Sequence, residues 1–134
     1  MTVVVVDTNV LAYLLIEGDR TKAAQDLYAK DPDWQSEAFV LVELTNILTT
    51  YTRTGALTRE QGLKLLAEAE TLLPQLPTVS HQEAYEVAVE FGISAYDGRF
   101  IAFARQTKSK LVTEDARLRK AVPAWTASLD EALA

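Results

Sequence analysis

Val3-Val4-Val5-Val6-Asp7-Thr8-Asn9 is a run of β-branched residues that ends on three polar ones. Apolar on both faces, the run predicts a short strand at the centre of a covered parallel sheet. The residues that follow, Val10-Leu11-Ala12-Tyr13-Leu14-Leu15-Ile16, predict a helix. Asp7 then stands at the carboxyl end of a buried strand. An ionised carboxylate there has lost much of its water and needs hydrogen bonds, a cation or a raised pKa in compensation. In open α/β sheets this is also the edge where ligands bind. Capping of the helix by Asp7 or Asn9 is the competing explanation.

Outward from this stretch, short apolar strands alternate with helices. Arg20 to Ala29 predicts a second helix, and Asp31-Pro32-Asp33 breaks the pattern. Trp34-Gln35 suits a short strand, after which Ser36 is placed to cap a long helix ending near Arg53, before Thr54-Gly55. Thr58 to Gln61 has capping-box spacing and opens a helix through Leu73, stopped by Pro74 and Pro77. Thr78-Val79 suits a strand. Ser80 to Glu83 repeats the capping-box spacing for a helix closed by Gly92, and Ser94 leads into another through about Gln106. Leu111-Val112-Thr113 predicts a second firm strand, followed by a short helix, an edge strand at Ala124-Trp125-Thr126 and a last turn from Ser128. Strand alternating with helix is the α/β signature, with right-handed crossovers placing helices on both faces of a parallel sheet.

With 134 residues, 49% of them hydrophobic and 24% charged, residues 1–134 make one ordinary globular domain. The absence of cysteine removes disulfide and thiolate chemistry. The first apolar run carries no basic flank and is interrupted by Asp7, so it resembles neither a signal peptide nor a membrane span; a cytoplasmic protein is the expectation. A formal charge of -6 argues mildly against a polyanionic partner. Yet Arg99, Arg105, Lys108, Lys110, Arg117, Arg119 and Lys120 cluster against only Glu114 and Asp115. Such a cluster is either a solvated face or a contact for a phosphate backbone.

Three further acids stand where an apolar residue or neutral cap is expected. Glu43 shares a helix face with Phe39, Val40, Asn46, Ile47 and Thr50, and points inward or nearly so, unless it merely edges the apolar stripe. Asp97 shares a face with Phe100, Ile101 and Ala104, although Ser94 to Asp97 is itself a capping-box spacing. Asp115 follows its strand as Asp7 follows the first, with capping again the alternative. Taken together, the two strand ends and two helices can aim Asp7, Glu43, Asp97 and Asp115 into one crevice. Each pair about 4 Å apart would repel by about 4 kcal/mol at an effective dielectric of 20, so something positive must hold them. Hard oxygen donors, without Cys or clustered His, select Mg²⁺ or Mn²⁺. One such ion, or two, suits phosphodiester hydrolysis.

Val4-Val5-Val6-Asp7-Thr8-Asn9, Val42-Glu43-Leu44, Tyr96-Asp97 and Leu111-Val112-Thr113-Glu114-Asp115, in this order and spacing, resemble the PIN domain, and within it the short bacterial and archaeal toxins of the VapC type. The resemblance spans nearly the whole chain. It implies a three-layer α/β/α sandwich with a central parallel sheet and a Mg²⁺- or Mn²⁺-dependent ribonuclease, usually a homodimer, acting on RNA and restrained by a small antitoxin protein. It also implies that Asp7, Glu43, Asp97 and Asp115 form the acidic metal-holding and catalytic quartet, with Thr8, Asn9 and Thr113 orienting it. Gly98-Arg99 departs from many relatives; it weakens the helix start and puts Arg99 either near the scissile phosphate or against the antitoxin.

Other chemistries fit less well. His81, the single histidine, sits between Ser80 and Gln82 at a helix start, which suits a surface residue rather than a Ser-His-Asp system. The five glycines form neither a phosphate loop nor a dinucleotide fingerprint. A haloacid-dehalogenase-type phosphatase would want a second Asp where Asn9 stands, and a receiver domain would want an acceptor Asp near Thr78-Val79-Ser80-His81. Trp34, Trp125 and the tyrosines suit core or dimer contacts better than base stacking. The alternatives kept open are a PIN-like domain that only binds a partner, and a metal-dependent nuclease or phosphatase acting on DNA or a small phosphate.

Overall fold

Val4–Val6 forms the first strand, β1, with all three valines buried. It lies between β2 (Trp34–Gln35) and β3 (Leu111–Val112), and β4 (Thr126–Ala127) completes a sheet of order β2-β1-β3-β4. This computed structural model describes residues 3–134. Every strand pair is parallel, with Val4 opposite Trp34, Val5 opposite Leu111 and Leu111 opposite Thr126.

Parallel neighbours require long crossovers, and helices supply them. α1 (Thr8–Leu15) and α2 (Thr21–Lys30) join β1 to β2; α3 (Phe39–Arg53), α4 (Arg59–Leu72), α5 (His81–Phe91) and α6 (Ala95–Thr107) join β2 to β3. α7 (Ala116–Ala121) and a 3-10 turn at Pro123–Trp125 lead to β4, and α8 (Leu129–Leu133) follows. The result is the three-layer α/β/α sandwich expected from the sequence. Val5, Val6, Leu11, Leu44, Phe100, Ile101 and Leu111 are fully buried at its centre. Trp34 joins this core, edge-on to Tyr28 with ring centroids 5.5 Å apart. Among the described residues, no helix is long and apolar enough to cross a membrane.

The helix starts follow local hydrogen bonding. Thr58 closes a full capping box with Gln61, and Ser128 does the same with Glu131. Ser80 and Ser94 cap α5 and α6 by accepting from the Glu83 and Asp97 N–H groups. Gly92, at φ +65°, ends α5 in the left-handed conformation that glycine adopts without strain.

Three local expectations are corrected. Ser36 does not cap the long helix: its hydroxyl is buried and donates to the Val6 carbonyl at 2.7 Å, and α3 begins only at Phe39. Thr78-Val79 is not a strand, because side chains, described below, take both backbone groups of Val79. The edge strand lies at Thr126–Ala127 instead of 124–126, since the turn at Pro123–Trp125 occupies the earlier positions.

Gly98 has a packing role. A Cβ there would lie 2.7 Å from the Ala84 carbonyl oxygen and 3.4 Å from Ala88 Cβ, where α6 meets α5. Gly98→Ala therefore sets two effects in opposition: a gain of about 1 kcal/mol in helix propensity, and an overpacking cost of about 1–3 kcal/mol against backbone that must shift. A net loss of stability is the expected result, measured as a lower melting temperature; a rise would show that the crossing relaxes freely.

Candidate functional site

The chain leaves β1 toward β2 on one side and returns to β3 on the other, so the carboxyl ends of β1 and β3 border a topological switch point. Asp7 follows β1 directly, and its N–H still donates to the Val112 carbonyl at 3.3 Å. Thr113 and Asp115 follow β3. From the helical layer, α3 contributes Glu43 and Asn46, and the first turn of α6 contributes Asp97. Asp7, Thr8, Asn9, Glu43, Asn46, Asp97 and Asp115 line one cavity of about 350 Å³, with Phe39, Ile47 and Phe100 among its apolar walls.

Two of the acids also do what the competing explanation required of them. Asp7 Oδ1 accepts from the Val10 N–H at 3.0 Å and caps α1. Asp115 Oδ1 accepts from the Arg117 and Leu118 N–H groups at 3.0 and 3.2 Å and caps α7, while the Thr113 hydroxyl accepts from the Asp115 N–H. Only one oxygen of each carboxylate serves the cap, so capping and facing the cavity are compatible. Glu43 is fixed by the Thr8 hydroxyl, which donates to Oε1 at 2.6 Å. Asn9 is exposed on the cavity rim.

The electrostatics record the crowding. Burial pushes the Asp7 carboxyl up from its ordinary 3.8 to about 6; the Thr113 hydroxyl and Val10 N–H ease the shift, and the charges of Asp97 and Glu43 add to it. Asp97 is raised as well, first by burial and then by the Asp115 and Glu43 charges, with Ser94 opposing. Among the described residues no three acids or histidines form a closed ligand set; the carboxylates ring the cavity instead. Their donor chemistry, all hard oxygen, fits Mg²⁺ or Mn²⁺. A second, more apolar cavity of about 330 Å³ lies between α3 and α4, lined by Leu48, Leu63 and Leu66 and by no acid, so it offers none of this chemistry.

Three of the seven residues in the basic cluster are committed to structure. Arg105 pairs with Glu90 at 3.1 Å, and Arg119 donates to the Thr113 carbonyl at 2.9 Å. Arg99, expected at the scissile phosphate or against an antitoxin, pairs with the buried Glu37 at 3.0 Å. The other four, Lys108, Lys110, Arg117 and Lys120, make no ion pair among the described residues.

A parallel α/β domain with acids gathered at its switch point is the class that this fold and crevice define. Residues 4–122 match the family described as the PIN domain, and the chain belongs to it. It is similar to Ribonuclease VapC3 of Pyrobaculum aerophilum, with 26% identity over 124 residues that span 90% of this chain and 95% of that protein. The crystal structure of PAE2754 from Pyrobaculum aerophilum superposes with a TM-score of 0.78 at 22% identity, covering 96% of this chain and 90% of that one.

Proposed function

We propose that this protein is a Mg²⁺- or Mn²⁺-dependent endoribonuclease, the toxin of a toxin-antitoxin module, working in the cytoplasm as a homodimer under a small antitoxin protein. The observation that carries the reading is the convergence of Asp7, Glu43, Asp97 and Asp115 on one switch-point cavity. Membership of the PIN-domain family and similarity to a ribonuclease support it.

Asp7, Asp97, Glu43 and Asp115 would hold the ion. When bound, it supplies Lewis-acid stabilisation of a phosphoryl oxygen and acidifies a water nucleophile. The protein's own contribution is orientation. Thr8 fixes Glu43 through its hydroxyl, Thr113 lies against Asp7 and Asp115, and Asn9 offers an amide at the rim for a ribose or phosphate oxygen. Burial lifts the Asp7 carboxyl to about 6, so it is mostly ionised at neutral pH, and protons compete with a cation for it only as the pH falls towards that value.

RNA and DNA oligomers of one sequence, incubated with Mg²⁺, with Mn²⁺ and with chelator, test the proposal. Endonucleolytic fragments are expected from RNA and only with metal. Cleavage of RNA that survives chelation removes the metal mechanism, and equal cutting of DNA moves the protein to another substrate class. A wild-type protein giving no heat with Mn²⁺ in calorimetry would leave a binding-only PIN domain.

A further inference from the structure

Glu37 is completely buried, and both of its carboxylate oxygens are engaged. Oε1 accepts from the Phe39 N–H, at the first residue of α3 and one turn before Glu43. Oε2 accepts from the Val79 N–H at 2.9 Å and from Arg99 Nη1 at 3.0 Å. The same Nη1 donates to the Val79 carbonyl at 3.1 Å, and Nη2 reaches His81 Nδ1 at 2.8 Å. Arg99 stands on α6 two residues after Asp97. Above the pair, the Phe39 ring stacks on Tyr96 with centroids 5.2 Å apart and planes 6° apart, and the guanidinium carbon lies 5.9 Å from the Phe39 centroid.

A buried ion pair is poorly explained as a source of stability, since well-packed apolar residues of similar volume serve as well or better. An apolar pair cannot give direction. This one joins the first residue of α3, the residue before α5's cap and the first turns of α6 through hydrogen bonds of fixed geometry. We propose that Glu37 and Arg99 are positioning residues that hold α3 and α6 in register, and thereby set the spacing of Glu43 from Asp97 and the affinity of the crevice for a divalent cation. The inference rests on the metal-site reading above. Neither residue lines the cavity, so the effect passes through the helices. A misplacement of about 1 Å is enough to cost about a hundredfold in rate.

His81 reports on the pair. A guanidinium only donates, so Nδ1 must be the acceptor and the ring proton sits on Nε2. As the single histidine, it gives one set of ring nitrogen signals. Arg99→Lys keeps the charge but cannot span Glu37, Val79 and His81 together; Glu37→Gln leaves one acceptor oxygen for three donors. In either variant, the proposal expects the Nε2–H tautomer preference to weaken. Mn²⁺ affinity by calorimetry should fall at least about tenfold, and kcat on RNA should fall with KM little changed, at temperatures where circular dichroism shows both variants folded. A folded Arg99→Lys protein with an altered His81 signal and wild-type Mn²⁺ affinity overturns the proposal. If wild type binds no Mn²⁺, the metal reading fails first, and amide exchange then decides the positioning claim. Faster exchange in both the Phe39–Glu43 and the Asp97–Phe100 segments supports it, and a change confined to one helix or absent from both overturns it.

Discussion

Asp97→Asn is expected to lower the proposed RNA turnover by on the order of a thousandfold while the protein stays folded. On the proposed mechanism Asp97 is a direct metal ligand, and its loss removes several kcal/mol of transition-state stabilisation; each 1.36 kcal/mol is about tenfold in rate. The fold survives because asparagine has nearly the same shape, and because the backbone N–H of residue 97, which Ser94 Oγ receives at 3.0 Å, is untouched. The substitution also takes one charge from a crowded site, where Asp115 and Glu43 already raise the Asp97 carboxyl. The metal-free variant should therefore melt no lower than wild type. Single-turnover cleavage and thermal denaturation, run side by side, check both halves. Unchanged turnover removes Asp97 from the mechanism; a collapsed melting curve shows that its role is structural.

The second large effect is one of stability against pH. Asp7 is held at about 6 in the folded protein against an ordinary 3.8. Its folded pKa is raised, so the folded state binds the proton more tightly than the unfolded chain does. That stabilisation is fully present below the unfolded value and is lost as pH rises through the folded one. A shift of this size corresponds to about 3 kcal/mol, an order-of-magnitude figure at 1.36 kcal/mol per unit. In chelator, wild type should lose stability relative to Asp7→Asn between about pH 4 and pH 6, leaving the variant more stable by up to about 3 kcal/mol at pH 7. Urea denaturation at pH 4.5 and 7.5 measures the difference, and saturating Mn²⁺ should reverse it, because the cation binds the ionised form. Equal stabilities at both pH values would show that water reaches Asp7 freely.

What the sequence made legible was what local rules govern. Val3 to Asp7 announced a buried strand ending on an acid, and the serine and threonine caps at positions 58, 80, 94 and 128 announced helix starts, because each depends on hydrogen bonds within a few residues. The layered parallel fold followed from that alternation. Helical spacing brought Glu43 and Asn46 to the same cavity wall. Glu37 escaped notice for the opposite reason. Beside Ser36 it looked like part of a helix start, while two of its three partners lie 42 and 62 residues further along the chain. The β-branched pair Thr78-Val79 misled in the same way, since propensity says nothing of a carboxylate and a guanidinium that take the place of a neighbouring strand. Arg99 could not be assigned from sequence because its acceptors belong to two distant segments, Glu37 and the stretch from Val79 to His81.

The central position of β1 has a consequence for biosynthesis. A ribosome makes Val4–Val6 before Leu111, so Val5 must wait for Leu111 before its flank on the β3 side is covered. Until then an apolar strand with an open edge trails from the growing polypeptide, held only by what β2 and the first helices can offer. Pairing of β1 with β3 therefore cannot precede synthesis of the segment around Leu111, and four helices must be made between β2 and β3 before it.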